Sequence, residues 1–121
     1  MNREDDGKQV YSFPKHIAMD KLTLNLINQL FEIERKLTAK QIDVADRNLD
    51  RIKHDLEAHG VKVIDPTGEK YEDTRTDCQA SIVGDLGRNM IITKTMKPIV
   101  IENGPSGMEL IQRGTVIVEK A

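Results

Sequence analysis

The stretch RIKHDLEAHGVKVIDPTGEKYED, residues 51 to 73, changes its rule halfway along. Up to His59 its apolar residues, Ile52 and Leu56, fall at helical spacing. From Val61 they alternate, as a half-buried strand requires, and a turn follows. Gly60 stands at the switch, where a helix ends on a residue that tolerates positive φ. Asp65-Pro66-Thr67-Gly68 closes the strand: proline presets φ for a turn, and glycine accepts what other residues do not. This junction predicts an α+β chain in which helices lead into a small β head.

Working upstream, helical spacing extends back to about Ile17. Met19, Leu22, Leu26, Leu30, Ile33 and Leu37 form one stripe, and Ala45, Leu49, Ile52 and Leu56 continue it, with Gln41 at the missing step. Leu26 to Leu56 spans eight steps of about 3.75 residues each, longer than the roughly 3.5 of a left-handed coiled coil. A continuous seam would therefore be straight or slightly right-handed. A second reading stands beside it. Thr38-Ala39-Lys40-Gln41 has the form of a capping box, which would start a second helix near Thr38 and make a helical hairpin. The first segment also carries a wide apolar face, with Leu24, Ile27 and Phe31 beside the stripe, as a bundle needs. In either reading the isolated chain leaves leucines uncovered, and pairing of two chains would cover them. Leu22, Leu26, Leu30, Ile33, Leu37, Leu49, Ile52 and Leu56 are the expected dimerisation residues.

Downstream, residues 69 to 78 are polar and irregular. Strands are expected at 79–83, 89–97, 98–102, 108–112 and 115–120, separated by the glycine-bearing turns GDLGR and NGPSG. The expected organisation is an N-terminal arm (1–15), a helical dimerisation stem of coiled-coil or bundle type (16–59) and a small antiparallel β head (60–121). With its seam interrupted at Gln41, the stem is expected to melt apart from the head, or before it.

Composition narrows the function. Of 121 residues, 31% are charged and only 3% aromatic, so bulky core filling is scarce. The net charge of −2 comes from interleaved acids and bases, which does not suit nucleic-acid binding. No apolar run approaches the length of a membrane helix, and MNREDDGKQVYSFP has no apolar signal core. A lone cysteine, Cys78, fits a reducing cytoplasmic setting. His16, His54 and His59 are the only histidines, and His54 and His59 do not share a helix face. Asp50 with His54, and Asp55 with His59, sit four apart, as solvated helix pairs do. GDLGRN lacks the Lys-Ser/Thr ending of a phosphate loop and reads as a turn. No catalytic residue set, metal site or cofactor is expected.

The segment DRNLDRIKHDLEAHGVKVIDPTGEKYED resembles the helix-to-head junction of GrpE, the nucleotide exchange factor of the DnaK/Hsp70 chaperone. The matching features are Gly60-Val61, the short strand at Val63-Ile64, the turn Pro66 to Gly68, and the aromatic-acidic pair Tyr71-Glu72. LINQLFEIERKL (26 to 37) is similar to the family's leucine-rich helix, and LIQRGTVIVEKA to its closing strand through Gly114, Val116 and Val118. The chain departs from the family at Thr76-Asp77-Cys78, where a His-Glu-Ala motif is usual. It departs again at Pro98-Ile99, in place of a Gly-Tyr step, and at Gln112, in place of Arg. The family's long N-terminal stalk is not matched by the short arm, 1–15.

The resemblance implies a homodimeric co-chaperone of the cytoplasm. Its head would dock on the nucleotide-binding domain of an Hsp70/DnaK partner and promote ADP release during protein folding. The partner-binding residues it implies are Pro98, Ile99, Ile101, Met108 and Gln112, around the hairpin 103–107. The alternative is a non-exchanging dimeric coiled-coil assembly or adaptor module whose β head binds another protein.

Overall fold

The computed structural model describes residues 19–85 and 87–121. The expected arm, 1–15, lies outside the described residues. Among the described residues the architecture is α+β: two helices, α1 (Lys21–Ala39) and α2 (Asp46–Ala58), precede seven strands. These are β1 (Val61–Ile64), β2 (Lys70–Tyr71), β3 (Cys78–Ile82), β4 (Met90–Lys97), β5 (Ile99–Gly104), β6 (Gly107–Gln112) and β7 (Gly114–Lys120). They form a three-stranded sheet, β1-β5-β6, and a four-stranded sheet, β2-β4-β7-β3. The head is mixed rather than purely antiparallel, because β3 runs parallel to β7.

One continuous helix is not formed. Asp20 starts α1 by accepting a hydrogen bond from the Thr23 N–H at 2.7 Å. That bond satisfies one of the free amides of the first turn. After Ala39 the chain turns back on itself. Gln41 takes φ 57°, the Ile42 N–H bonds the Leu37 carbonyl at 2.9 Å, and the Gln41 N–H bonds Thr38 at 3.0 Å. These two bonds are the pattern of a glycine-type helix stop, here made by glutamine. The expected capping box at Thr38 does not occur: Thr38 lies in the last turn of α1, and α2 is preceded by Ala45, with no side-chain cap. The stop at Gly60 is as expected, with φ 82°.

The long pair β4-β5 and β6-β7 is one bent hairpin that serves both sheets. Its lower arms, β4 and β7, pair in the four-stranded sheet, and its upper arms, β5 and β6, in the three-stranded one. The bend needs two corners. Pro98, which has no N–H to give a ladder, separates β4 from β5, and Arg113 separates β6 from β7. Next to the second corner, a Cβ on Gly114 would stand 3.0 Å from Ile99 Cγ1, so this position has little room for a side chain.

Two apolar clusters result. Between the sheets lie Cys78, Met90, Ile92, Ile99, Ile101, Leu110, Val116 and Val118, with Tyr71 and Met108 packed against them. On the other face of the three-stranded sheet, Val61 and Val100 meet Met19 and Ile27, with Leu24, Leu56, Val63 and Ile111 around them. Strand alternation explains the division: Ile99 and Ile101 point to one face of β5, Val100 to the other. The molecule is therefore layered as helices, sheet, sheet. The helical segment is not a free-standing stem, because it lies on the head and shares a core with it.

Candidate functional site

α1 is amphipathic twice over. One face, Leu24, Ile27 and Phe31, is turned inward. Asn28 fixes this face to the sheet: its Nδ2 donates to Gln112 Oε1 at 3.0 Å and its Oδ1 accepts from Gln112 Nε2 at 2.8 Å. Gln112 Nε2 also donates to the Pro98 carbonyl at 2.9 Å. Around the helix from this face runs a second stripe, with Leu22 67% exposed, Leu26 55% and Ile33 49%. Leu30 and Leu37 are half-buried beside it. Ile42 and Val44, in the loop to α2, add exposed apolar surface.

The expected dimerisation residues therefore divide. Leu49 is buried, and Ile52 and Leu56 are half-buried. They line a narrow apolar cleft with Leu30, Phe31 and Val63, between the two helices and β1. Lys53 and Glu34 form an ion pair from α2 to α1 at the rim of this cleft. Those residues serve the inside of one chain. Leu22, Leu26 and Ile33 are the ones left exposed.

The expected head contacts divide as well. Pro98, Ile99 and Ile101 are each less than 2% exposed and belong to the interior of the head, so they offer nothing to a partner. Met108 packs against the same core, and Gln112 is engaged with Asn28. The hairpin between them is different. Asn103, Pro105, Ser106 and Gly107 are exposed at its tip. Gly104 keeps its shape for a local reason: a Cβ there would sit 2.5 Å from the Glu109 carboxylate. Glu109 stands opposite Glu102 in the ladder, and Glu102 Oε1 is buried without a hydrogen bond.

At the far side of the head, Arg75 is a knot of charge. It bonds Asp77 through Nε at 2.9 Å and a second nitrogen at 3.2 Å, and Glu69 at 3.0 Å. The Asp77 hydrogen bond, against some cost of burial, holds the guanidinium well above its ordinary value. For Asp77, burial raises the carboxyl, but the Arg75 hydrogen bond and charge outweigh it and the net direction is down. Burial, then the Asp77 charge, pushes the Cys78 thiol up to about 11, which leaves it protonated and a poor nucleophile near neutral pH. This network was not visible in the sequence, where residues 69 to 78 read as irregular. The alternation of Arg75 and Asp77 was the only available signal.

Among the described residues no three His, Cys, Asp or Glu gather as metal ligands, and no helix is long and apolar enough to cross a membrane. His59 Nδ1 lies 3.0 Å from the Asp55 carbonyl, an exposed contact on the helix surface. Comparison with family models, with curated proteins and with solved structures found no match.

Proposed function

We propose that the chain is a GrpE-like co-chaperone of the cytoplasm. In this reading two copies pair through their helices, and the head favours the open, nucleotide-free form of an Hsp70/DnaK partner, so that ADP leaves faster. The chain itself hydrolyses nothing. The observation that carries the reading is the junction: α2 ends at Ala58, Gly60 follows its cap at φ 82°, β1 starts at once, and the Asp65-to-Gly68 turn closes it with Thr67 N–H on Asp65 at 3.0 Å and Gly68 at φ 91°. That order of parts is similar to the helix-to-head junction of the GrpE family.

Support for the pairing comes from the open stripe Leu22, Leu26 and Ile33. Burying each such side chain is worth about 1.5–3 kcal/mol, and several per chain offset the cost of association. With Leu49, Ile52 and Leu56 committed inside the chain, the pair would be a bundle of four helices rather than a two-stranded coil. The hairpin tip at 103–107 is the part of the implied head contact that stays accessible. The mechanism is a population shift, which requires tighter binding to the open partner, and ADP must then weaken the complex by the same factor.

The second reading, a dimeric assembly or adaptor module without exchange activity, is favoured by a specific observation: Pro98, Ile99 and Ile101 are interior residues. Release of labelled ADP from the Hsp70 proteins of the same source separates the two. Exchange activity predicts faster release by the wild type. Leu26→Asp, at an exposed position, should keep the fold and yield a monomer. An intact dimer that neither binds an Hsp70 nor changes its ADP off-rate leaves the assembly module.

A further inference from the structure

Among the described residues β3 is the outer strand of the four-stranded sheet. Its inner side is engaged: the Gly114 N–H donates to the Asp77 carbonyl at 2.9 Å, and the Val83 N–H to Val118 at 2.9 Å. A parallel ladder uses alternate residues, so Gln79 and Ser81 bond inward with them, and the N–H and C=O groups of Cys78, Ala80 and Ile82 point away from β7. Sheet edges in native proteins are usually blunted by charge, proline or shortness. The other edges here follow that habit: β2 has two residues, β1 carries Lys62, and β6 carries Glu109. The run Cys78 to Val83 has neither a charge nor a proline, and ends in exposed apolar side chains, Ile82 at 41% and Val83 at 53%.

From this edge we infer that β3 receives an extended, uncharged peptide segment of a partner protein, which joins the four-stranded sheet as a fifth strand. Three outward residues supply about six hydrogen bonds to an antiparallel guest, and main-chain bonding of this kind gives affinity while alternate side chains give selectivity. The guest is extended because only a strand matches the row of donors and acceptors. It is uncharged where it faces 78–83, since a charge there has no counter-charge on β3. Its apolar side chains lie at one end, meeting Ile82 on one face of the sheet and Val83 on the other. A second copy of β3 is the poorer guest. A strand of this length is about 17 Å long, and its contact falls well short of the roughly 1,200 Å² of a stable protein interface. A peptide bound at micromolar strength needs no such area.

The probe is a capped peptide of alternating threonine and valine, about seven residues long, titrated into the full chain and followed by amide NMR. The Ala80 and Ile82 amides should exchange fast in the free protein, then shift and slow on peptide addition. Ala80→Pro removes an outward N–H without touching the ladder to β7, and should weaken binding by roughly tenfold. Ile82→Lys, at an exposed side chain, should weaken it too and decides the matter if Ala80→Pro does not fold. Peptide that leaves these amides unchanged overturns the inference, as do variants that bind like the wild type. Protection of the same amides that grows with protein concentration alone also overturns it, in favour of self-pairing.

Discussion

Val100 sits at the middle of the layer that joins helices to head, and Val100→Ala tests whether they are one folding unit. The residue is fully buried, on the central strand of the three-stranded sheet, against Met19, Ile27 and Val61. The substitution removes two methyl groups. At about 0.8 kcal/mol each, lost transfer energy comes to about 1.6 kcal/mol. The unfilled cavity raises this to about 2–3 kcal/mol, because sheet and helices relax only in part. For a chain of this size, that loss lowers Tm by roughly 10 °C. Far-ultraviolet circular dichroism reports the helices. Fluorescence of Tyr71, which packs on the inner core, reports the head, and a Tyr11→Phe background makes it the sole tyrosine. The shared core predicts one transition by both probes, lowered equally by Val100→Ala. Helices that melt at lower temperature while the Tyr71 signal holds would refute the reasoning and restore a stem independent of the head.

Gln41→Gly should stabilise the chain by about 0.5–1 kcal/mol, seen as a higher urea midpoint. The reason is the positive φ of Gln41, which strains a residue with a Cβ and which glycine adopts freely. A lower midpoint would mean that the glutamine side chain contributes more than its backbone costs. Gln112→Ala leaves Asn28 and the Pro98 carbonyl without their partner and should cost about 1–3 kcal/mol. In a double-mutant cycle with Asn28→Ala the losses should be less than additive; full additivity would rule out the coupling. Asp77 is depressed in the fold, so its contribution is present above its ordinary value of 3.8 and is lost as pH falls below it. Asp77→Asn should lack that acid-dependent part of the stability curve. A wild type and variant with parallel curves between neutrality and strong acid would contradict the Arg75–Asp77 pairing.

Local chemistry was legible from residues 51 to 73 outward. Gly60 stops a helix because it alone there accepts positive φ cheaply. The strand 61–64 and the turn at 65–68 follow from alternation and from Pro66 and Gly68. Strands near 79–83, 89–97 and 115–120 fell within a residue of their observed bounds, since apolar alternation between glycine turns is a short-range signal. The stop at Gln41 was not legible, because glutamine has no preference for that conformation. Nor was the phase change in β4: strict alternation would put Lys94 inside with Met90 and Ile92. Register shifts beside Thr93 and Met96 turn Lys94 and Lys97 out and send Thr95 in, where its hydroxyl lies 2.8 Å from that of Thr67.

What covers each apolar face was decided only by tertiary structure. Periodicity marked Leu22 and Leu49 as members of one seam; the fold leaves the first in solvent and puts the second inside. Ile99 and Ile101 alternate as well in a surface strand as in a core strand, and it is the bend at Pro98 and Arg113, with the other sheet closing over them, that buries them. The parallel partnership of β3 with β7 joins segments far apart in the chain. A sequence states that a face is apolar, because water and the backbone repeat act on each residue where it stands. It does not state which face meets which, because that depends on chain paths between distant segments.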